Sequence, residues 1–341
     1  MDNNNLVEVR NLKTYFPIKT GVLQRTSGFV KAVDDVSFTI KKGRTLGLVG
    51  ESGCGKTTIG RTILRLIPHT AGEVFIDKID IFSMKHNELR KMRDKFQIIF
   101  QDPYSSLNPR LPVGEIVGEA VREHKIEEYV GEAVREHKVV DKKEYRSYIM
   151  KVLEDCGLSS HFVDRYPHEF SGGQRQRICI ARALALKPKL IVADEPVSAL
   201  DVSIQAQIIN LLKELQEKRD LTYLFISHDL SVVEYISDTV AVMYLGNIVE
   251  MSPKKKLFSN PLHPYTEALL SAVPYPDPAM RYTKKRIILK GDIPSPANPP
   301  SGCRFHTRCP YAKKICSEQV PEYREIFPEH FCMCHKANGV F

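Results

Sequence analysis

The sequence predicts an α/β protein built around a sheet with mostly parallel strands, and two observations lead to that prediction. The apolar run "LGLVG" precedes a glycine-rich loop at residues 50–55 and then a helical pattern. The apolar residues of this pattern fall on one helical face, namely Ile59, Ile63, Leu66 and Ile67. Two later apolar runs, "KLIVADEP" and "TYLFISHD", have the length of buried strands, and helical patterns separate them. Strands that alternate with helices favour a parallel arrangement.

The remaining regions complete the predicted organisation. Near the N-terminus, "LVEVRNL" and "DVSFTI" alternate apolar and polar residues, as half-buried strands do, and residues 17–28 are interpreted as an insertion between them. Residues from about 101 to 180 are mostly helical in pattern and predict a helical subdomain. After about residue 250 the chain is rich in proline and then in cysteine. We therefore predict a main domain over residues 1–260 and an appended C-terminal extension over residues 261–341.

One nine-residue segment, "VGEAVREHK", occurs twice in the predicted helical subdomain, at residues 117–125 and 130–138. An offset of thirteen residues rotates a helical face by roughly 220°, at about 100° per residue. One continuous helix could not bury the same apolar stripe in both copies. We interpret the segment as a local tandem duplication on the surface, since no repeat of this kind occurs elsewhere in the chain.

Composition limits the class of protein and of partner. The 341 residues include 49 basic and 41 acidic side chains, a formal net charge of +8. This balance suits an acidic partner, either nucleic acid or an anionic membrane surface. No run of about 18 apolar residues predicts a membrane span, and the polar start "MDNNNLVEVR" has no apolar signal core. We therefore expect a cytoplasmic chain with reduced cysteines.

The loop "GESGCGKT" fits G-x-x-x-x-G-K-[ST] in the required strand–loop–helix context, which indicates a phosphate-binding site. Glycines let backbone N–H groups point at phosphate oxygens, and the following helix N-terminus adds its dipole. Lys56 can reach the β- and γ-phosphates of a nucleotide, and the Thr57 hydroxyl can bind Mg²⁺. The candidate residues of this loop are Gly50, Glu51, Ser52, Gly53, Cys54, Gly55, Lys56, Thr57 and Thr58.

Two adjacent acidic residues end the buried strand "LIVADE". A carboxylate at Asp194 costs free energy there unless a cation or hydrogen bonds satisfy it, so Asp194 is the predicted Mg²⁺ partner. Glu195 follows it and is a candidate general base for an attacking water molecule. The alternative is that the pair merely caps a helix, and the phosphate-binding loop makes that alternative the weaker one.

Four further motifs accompany these two: "FQDPYSSLNP" with Gln101, "FSGGQRQR", "SALD" at residues 198–201 and "ISHD" with His228. In this order, the set resembles the ATP-binding-cassette (ABC) ATPases over roughly the first 250 residues. The resemblance implies an ABC-type P-loop NTPase core with an antiparallel β subdomain and a helical subdomain. It also implies ATP and Mg²⁺ as cofactors.

The resemblance assigns roles to single residues. Gln101 corresponds to the glutamine that touches Mg²⁺ and relays the nucleotide state to a partner. His228 corresponds to the histidine that contacts the γ-phosphate and positions Glu195 and the attacking water. An aromatic residue near the N-terminus is expected to stack on adenine, with Phe16 the first choice and Tyr15 the second. The alternative is that Phe16 is a core residue.

The resemblance also implies a head-to-tail dimer. Ser171, Gly172, Gly173 and Gln174 of one subunit would cap the ATP held by the other, and Asp201 belongs to the loop that crosses to that subunit. The N–H groups and the helix dipole of the signature would meet the γ-phosphate charge. ATP would then favour the closed dimer, and hydrolysis would remove that preference.

The C-terminal third narrows the resemblance. "NPLHPYTEALLSAVPYPDP" and "GDIPSPANPPSGCRFHTRCPYAKKIC" resemble the extension of dipeptide and oligopeptide importer ATPases, and the long N-terminal segment resembles the second ATPase of the usual pair. This implies a translocase subunit on the cytoplasmic side of the cell membrane that hydrolyses ATP to power peptide uptake. The implied partners are a paralogous ABC ATPase in a heterodimer, two transmembrane permease subunits and, through them, an extracytoplasmic peptide-binding protein. A nickel-uptake ATPase and a nucleic-acid-linked ABC ATPase are the alternatives, although no nucleic-acid-binding motif is recognisable.

The cysteines suggest one more cofactor. Five of the eight lie near the C-terminus: Cys303, Cys309, Cys316, Cys332 and Cys334. In a reducing compartment such a group favours a metal over disulfides, and its spacing lacks the close C-x2–4-C pairs usual in structural zinc sites. Thiolates also suit iron–sulfur clusters. The resemblance to importer ATPases implies a structural [4Fe–4S] cluster on Cys303, Cys309, Cys316 and Cys334, with Cys332 as the alternative fourth ligand; zinc and disulfides stay open.

Overall fold

The computed structural model describes residues 4–21, 24–123, 142–273 and 287–340. The chain divides into two compact units. The first comprises Met1–Lys41, Thr45–Phe82 and Phe225–Phe341, and the second comprises Lys42–Arg44 and Ser83–Leu224. The predicted domain boundary near residue 260 stays a prediction.

Strands and helices alternate along most of the described residues. The strands are β1 (Asn5–Thr20), β2 (Arg25–Lys41), β3 (Thr45–Val49), β4 (Ala71–Ile76), β5 (Ile79–Asp80), β6 (Phe96–Ile99), β7 (Leu190–Asp194), β8 (Thr222–Ile226), β9 (Thr239–Tyr244), β10 (Asn247–Pro253), β11 (Arg324–Phe327) and β12 (His330–Cys332). The α-helices are α1 (Lys56–Ile63), α2 (His86–Met92), α3 (Pro103–Ser106), α4 (Val113–Glu123), α5 (Lys142–Asp155), α6 (Gly172–Leu184), α7 (Val202–Arg219), α8 (Leu230–Ile236), α9 (Lys254–Ser259), α10 (Pro264–Ser271) and α11 (Lys314–Glu318). Among these described helices, none has the length and apolar character needed to cross a membrane.

The first unit contains a four-stranded antiparallel sheet in the order β2–β1–β4–β5. The predicted antiparallel strands are therefore present at the N-terminus. Strands β1 and β2 stay paired as far as Thr20 and Arg25, with Pro17 opposite Phe29. The interpretation of residues 17–28 as an insertion between strands is wrong, because the described residues of this segment continue the ladder and lengthen the hairpin.

A second sheet supplies the strand that leads into the phosphate-binding loop. Its strands in the first unit run β11–β12–β10–β9–β3, with β3 parallel to β9 and the other pairs antiparallel. All five residues of β3 are buried, as in a strand covered on both faces. The strand predicted from "LGLVG" is thus confirmed.

Helix α1 ends earlier than its sequence pattern predicts. Ile59 and Ile63 are fully buried as expected, but Leu66 is 41% exposed. The helix ends at Ile63, and Arg65 has a φ of 51°, a left-handed conformation that cannot continue a right-handed helix. The prediction that Leu66 belongs to the buried helical face is therefore wrong.

In the second unit, β6 and β7 pair in parallel, and every residue of β7 is buried. The buried strands predicted from "KLIVADEP" and "TYLFISHD" correspond to β7 and β8. The described part of residues 101–180 contains α3 to α6 and two 3₁₀ turns, Ser160–Asp164 and Pro167–Glu169. The duplicated segment begins at Val117 in α4, and everything after residue 123 in its two copies lies outside the described residues.

A buried carboxylate, Glu250 on β10, joins two later segments of the first unit to that strand. Its side chain has no exposed surface, and Oε1 accepts hydrogen bonds from the Leu262 N–H at 2.8 Å and from His330 Nε2 at 2.7 Å. Oε2 accepts the N–H of His263 at 2.9 Å. Burial lowers the pKa of His263 to about 4, so that ring is neutral at pH 7. Three donors from two later segments therefore meet one carboxylate.

Candidate functional site

The loop between β3 and α1 passes so close to neighbouring backbone that only glycine fits at its two ends. A Cβ atom on Gly50 would lie 2.2 Å from the carbonyl oxygen of Met243, and one on Gly55 would lie 2.0 Å from that of Ala32. Gly55 also has a φ of 110°, which strongly favours glycine. The loop is thereby held against β2 and β9, directly ahead of a helix N-terminus. Loops of this kind direct backbone N–H groups at an anion.

Lys56 is the first residue of α1, and its side chain lies along the loop. The residue is 5% exposed. Its Nζ donates hydrogen bonds to the carbonyl oxygens of Gly50 at 2.9 Å and Glu51 at 3.1 Å. The ammonium group is therefore fixed at the loop, where it can neutralise the charge of a bound phosphate. Thr57 and Thr58 follow in the first turn of the helix.

Cys54 shapes the loop and is not a reactive thiol. Burial raises the pKa of its side chain, and a buried thiol with a raised pKa is a poor nucleophile. Its N–H donates to the carbonyl oxygen of Glu51 at 3.3 Å, and its own carbonyl oxygen accepts the N–H of Gly246 at 2.9 Å. The two bonds hold the middle of the loop in one conformation.

The second unit places two carboxylates and a glutamine together at the end of β7. Asp194 is the last residue of that strand and is 1% exposed. Glu195 has a φ of 48°, a left-handed conformation that costs a non-glycine residue about 1–3 kcal/mol and is concentrated at functional sites. Gln101 Nε2 donates a hydrogen bond to Glu195 Oε2 at 3.0 Å. Gln101 and Glu195, which are 94 positions apart in sequence, thus form one side-chain pair.

The signature "SGGQ" forms the start of α6. Ser171 Oγ accepts the Gln174 N–H at 3.3 Å, and Gln174 Oε1 accepts the Ser171 N–H at 3.0 Å, which makes a reciprocal capping box. A Cβ on Gly173 would lie 2.5 Å from Ile204 Cγ2 on α7, so packing requires glycine there. Gly172 precedes it in the first turn. The N-terminus of α6 is therefore capped, close-packed on one side and built from small residues.

One buried arginine connects this helix to the segment that follows Gln101. Arg175 is 6% exposed, and its Nε donates to the carbonyl oxygen of Pro167 at 2.7 Å. Its guanidinium lies over the ring of Tyr104, 3.7 Å from the centroid, a cation–π contact. The sequence analysis did not single out either residue, because no local pattern joins positions 71 apart.

Asp201 and His228 lie at the starts of two further helical segments. Asp201 occupies the N-cap position of α7, and its side chain makes no capping hydrogen bond. His228 is exposed and follows β8, just before Asp229, whose carboxylate caps α8 through the N–H groups of Ser231 and Val232. Both candidate residues therefore lie at backbone positions set by strand and helix ends.

The two candidate adenine-stacking residues differ in their surroundings. Phe16 is 40% exposed on β1, so the alternative that it is a core residue is wrong. The hydroxyl of Tyr15 donates to Asp34, and burial together with this bond raises the pKa of Tyr15. Lys31 Nζ lies 5.6 Å from the centroid of the Tyr15 ring. Phe16 thus offers an exposed ring, whereas the ring and hydroxyl of Tyr15 already have contacts.

All eight cysteines are free thiols. Burial raises the pKa of Cys303 to about 12, and the charges of Cys334, Cys316 and Cys309 add to that increase. The Cys303 N–H donates to the carbonyl oxygen of Cys316 at 2.7 Å. In the described residues, however, no group of three or more histidine, cysteine, aspartate or glutamate side chains is arranged around a single metal ion.

The candidate residues are distributed over both units. The phosphate-binding loop, Phe16, Tyr15, His228 and the C-terminal cysteines belong to the first unit, and Gln101, the signature, Asp194, Glu195 and Asp201 belong to the second. The sequence analysis missed two arginines of "CRFHTRC": Arg304, which pairs with Asp34 on β2, and Arg308, which pairs with Glu51 in the loop after β3. Their only local signal is a charge beside each of two cysteines, which does not identify a partner.

Comparisons with family profiles and with single related proteins identify the same family. The sequence profile of the ABC transporter family matches residues 33–198, and that of the oligopeptide/dipeptide transporter C-terminal region matches residues 249–316. The oligopeptide transport ATP-binding protein AppF of Bacillus subtilis is 54% identical over 98% of this chain and 98% of its own length. A putative peptide import ATP-binding protein of Brucella ovis is 51% identical over 99% of this chain and all of its own length.

Solved structures agree on the fold. The dimeric ATP-binding cassette MJ0796 in a post-hydrolysis state with ADP and Pi superposes with a TM-score of 0.62 at 29% identity, covering 73% of this chain and 98% of that one. The structure of cbiO1 from Clostridium perfringens, at 24% identity, supports the fold with a TM-score of 0.61 over 75% of this chain and 92% of that one. Relatives more than half identical match along nearly the whole chain, and both sequence profiles match within it. The chain therefore belongs to the ABC transporter ATPases that carry the oligopeptide/dipeptide transporter C-terminal region.

Proposed function

We propose that this chain is the ATP-hydrolysing subunit of an importer that takes up oligopeptides or dipeptides through a membrane permease. The observation that carries the proposal is the full-length match, at more than half identity, to a protein named as an oligopeptide transport ATP-binding protein. The phosphate-binding loop and the Gln101–Glu195 pair supply the local chemistry for ATP hydrolysis. The subunit acts from the cytoplasmic face of the cell membrane, as a peripheral partner of two permease subunits and, through them, of an external peptide-binding protein.

Mg²⁺ fits the oxygen donors that the chain offers. Asp194 presents a buried carboxylate at the end of β7, and Thr57 places a hydroxyl in the first turn of α1. Hard cations such as Mg²⁺ prefer oxygen ligands of this type. Thr57, Asp194 and the Gln101 amide oxygen are the residues that would hold the ion, which supplies positive charge to the β- and γ-phosphates. Lys56 adds the charge of its ammonium group.

Glu195 is the general base of the reaction. Its carboxylate takes the proton of the attacking water, and His228 orients the γ-phosphate and that water. The hydrogen bond from Gln101 and the left-handed backbone at Glu195 fix the direction in which the carboxylate points. Because the same glutamine begins the segment that contacts Arg175 of α6, a change at the base can reach the signature helix.

The signature serves the ATP of a second ATPase subunit, a paralogue in a heterodimer. Ser171, Gly172, Gly173 and Gln174 form a capped helix start whose N–H groups can meet a γ-phosphate charge. Asp201, whose carboxylate is not used for capping α7, reaches across to the paralogue. On the chain's own nucleotide, Phe16 stacks on adenine, because its ring is exposed while that of Tyr15 is held by Asp34 and Lys31.

The C-terminal thiols hold a structural [4Fe–4S] cluster. Cys303, Cys309, Cys316 and Cys334 are the four ligands, with Cys332 as the alternative fourth ligand, and all five are free cysteines. A zinc ion would need its four ligands at about 2.0–2.3 Å from one point, and the described residues offer no such group. An iron–sulfur cluster uses four thiolates on separate iron atoms and so suits a wider arrangement.

We expect protein purified without oxygen to be brown and to contain iron and sulfide in about equal amounts. Replacing Cys309 by serine should remove both, because one thiolate ligand is lost. Cys156→Ser is the matched control, since Cys156 is a buried thiol of the second unit and should leave the iron content unchanged. Colourless anaerobic protein with one zinc ion per chain would contradict the cluster.

Transport by the assembled importer tests the proposed function. In proteoliposomes that contain the chain, its paralogue and two permease subunits, a labelled oligopeptide delivered by its binding protein should enter only with ATP. Gln101→Ala should lower peptide uptake at least tenfold, because the link to Glu195 is lost, while the Kd for ATP rises by a clearly smaller factor. Gln207→Ala, on the exposed face of α7, is the control and should transport normally.

Two results would count against these assignments. Uptake of nickel without uptake of any peptide would replace the proposed substrate by the metal. Equal losses of ATP affinity and of transport in Gln101→Ala would make Gln101 a simple nucleotide-binding residue.

A further inference from the structure

The phosphate-binding loop contains an acidic residue, Glu51, which calls for a physical explanation. A carboxylate in an anion-binding loop repels the phosphates that the loop binds. In this structure the charge is matched by Arg308, from the segment between Cys303 and Cys309. Arg308 Nη1 lies 2.8 Å from Glu51 Oε2, and Nη2 lies 3.1 Å from Oε1.

The contact has the geometry of a strong pair. Both guanidinium nitrogens engage both carboxylate oxygens, and bidentate pairs of this kind combine strength with a fixed orientation. The Arg308 side chain is 8% exposed and that of Glu51 is 24% exposed, so water screens the pair only in part. The hydrogen bond to Glu51 raises the pKa of Arg308, which keeps the guanidinium charged.

The backbone of Glu51 is held by a second residue, Tyr265. Its N–H donates to the hydroxyl oxygen of Tyr265 at 2.9 Å, and Tyr265 is fully buried on α10. The rings of Tyr244, Tyr265 and Phe305 pack with centroids 4.7–5.4 Å apart. Arg308 also donates to the Tyr244 hydroxyl at 3.5 Å. Arg308 thus holds the side chain of Glu51 and Tyr265 holds its backbone, and both partners contact the same packed aromatic group.

A second arginine of the same segment contacts β2, the strand paired with the one that carries the candidate adenine-stacking residues. Arg304 pairs with Asp34 on β2, and Asp34 accepts the hydroxyl of Tyr15. Arg304 also donates to the carbonyl oxygen of Leu245. The segment at residues 303–309 therefore contacts both β2 and the phosphate-binding loop.

We propose that Arg308 is a positioning residue of the ATP site: it neutralises Glu51 and orients the phosphate-binding loop from the C-terminal region. The inference rests on the proposed ATP chemistry and assigns the C-terminal region a direct part in nucleotide binding. Arg308 acts through Glu51. Its effect therefore falls on the affinity for ATP, and the chemical step at Glu195 is left nearly unchanged.

A set of four variants of the full-length chain separates this role from simple structural support. Arg308→Ala should weaken binding of a fluorescent ATP analogue about tenfold and raise KM for ATP similarly, with kcat within twofold, because an unneutralised carboxylate stays in the loop. Glu51→Gln alone gives the affinity with which the double variant is compared. The double variant Glu51→Gln with Arg308→Ala should recover most of the affinity, since no charge is left to neutralise. Arg308→Lys keeps the positive charge but cannot form the bidentate contact with Glu51. Its affinity for ATP should therefore lie between those of the wild type and of Arg308→Ala.

Arg324→Ala is the matched control, because Arg324 is an exposed arginine of β11 whose contact is to the carbonyl oxygen of Asn338. Thermal unfolding of each variant shows whether it folds, and Arg308→Lys replaces Arg308→Ala if the latter does not. Wild-type affinity in Arg308→Ala would overturn the proposal, and so would a double variant as weak as Arg308→Ala. Absence of ATP binding in the wild type and in Arg324→Ala would instead refute the proposed function.

Discussion

Replacing Glu195 by glutamine should stop steady-state ATP hydrolysis while ATP binding persists. The amide keeps the shape of the side chain but cannot accept a proton from water, and loss of a general base lowers a rate by roughly 10²–10⁴-fold. The loop that holds Lys56 is separate in sequence from Glu195, so the affinity for ATP should stay within about threefold. Turnover of the assembled importer and equilibrium binding of a fluorescent ATP analogue measure the two quantities.

Lys56→Ala is the variant with which Glu195→Gln should be compared. It removes the ammonium group that lies 2.9 Å from the Gly50 carbonyl oxygen and should weaken ATP binding itself. The two variants should therefore fail at different steps. Hydrolysis by Glu195→Gln at near the wild-type rate would show that another group takes the proton.

The parts of the site that the sequence predicts are those in which the backbone dictates the residue. Gly50 and Gly55 meet neighbouring carbonyl oxygens so closely that no side chain fits, and the motif therefore reports geometry directly. Asp194 and Glu195 follow a strand whose five residues are all buried, and an apolar run that ends in acids is visible in one dimension. In local patterns of this kind, the structural constraint on each residue can be recognised from the neighbouring residues in the sequence.

The features that the sequence does not predict depend on contacts between residues that are far apart in the sequence. Arg308 and Glu51 are 257 positions apart, and neither "CRFHTRC" nor "GESGCGKT" contains a sign of the other. The long β1–β2 hairpin was missed for a related reason: Lys19, Thr20, Arg25 and Thr26 are not apolar, and only the pairing of the strands shows that they continue the ladder. At Leu66 the helical period continued in the sequence, but the backbone turned at Arg65.

Glu250 illustrates a third kind of feature that the sequence does not predict, namely an acidic side chain that is fully buried. It follows the apolar residues Ile248 and Val249 in β10, and a glutamate is a residue type that is almost never fully buried unless it is paired. In the structure the side chain is fully buried and accepts hydrogen bonds from Leu262, His263 and His330. Its burial is tolerable because both carboxylate oxygens have donors.

Replacing Glu250 by alanine should therefore lower the free energy of unfolding of the chain by at least about 3 kcal/mol, because three buried donors lose their acceptor. Two backbone N–H groups and the His330 ring would lose their acceptor in a place that water does not reach, and each buried unsatisfied donor costs about 1–3 kcal/mol. Glu250→Gln should have a smaller effect, because the amide keeps one oxygen acceptor but presents an NH₂ group to the remaining donor.

Thermal and urea unfolding of the purified chain measure these losses, and Glu217→Ala, an exposed glutamate of α7, is the control that should stay within about 0.5 kcal/mol of the wild type. Because β12 and the start of α10 both depend on Glu250, the C-terminal residues should become sensitive to protease in Glu250→Ala before β1 and β2 do. Wild-type stability in Glu250→Ala would mean that the three donors find other acceptors. Equal protease sensitivity at both places would mean that the carboxylate supports the first unit as a whole and does not specifically secure the C-terminal residues.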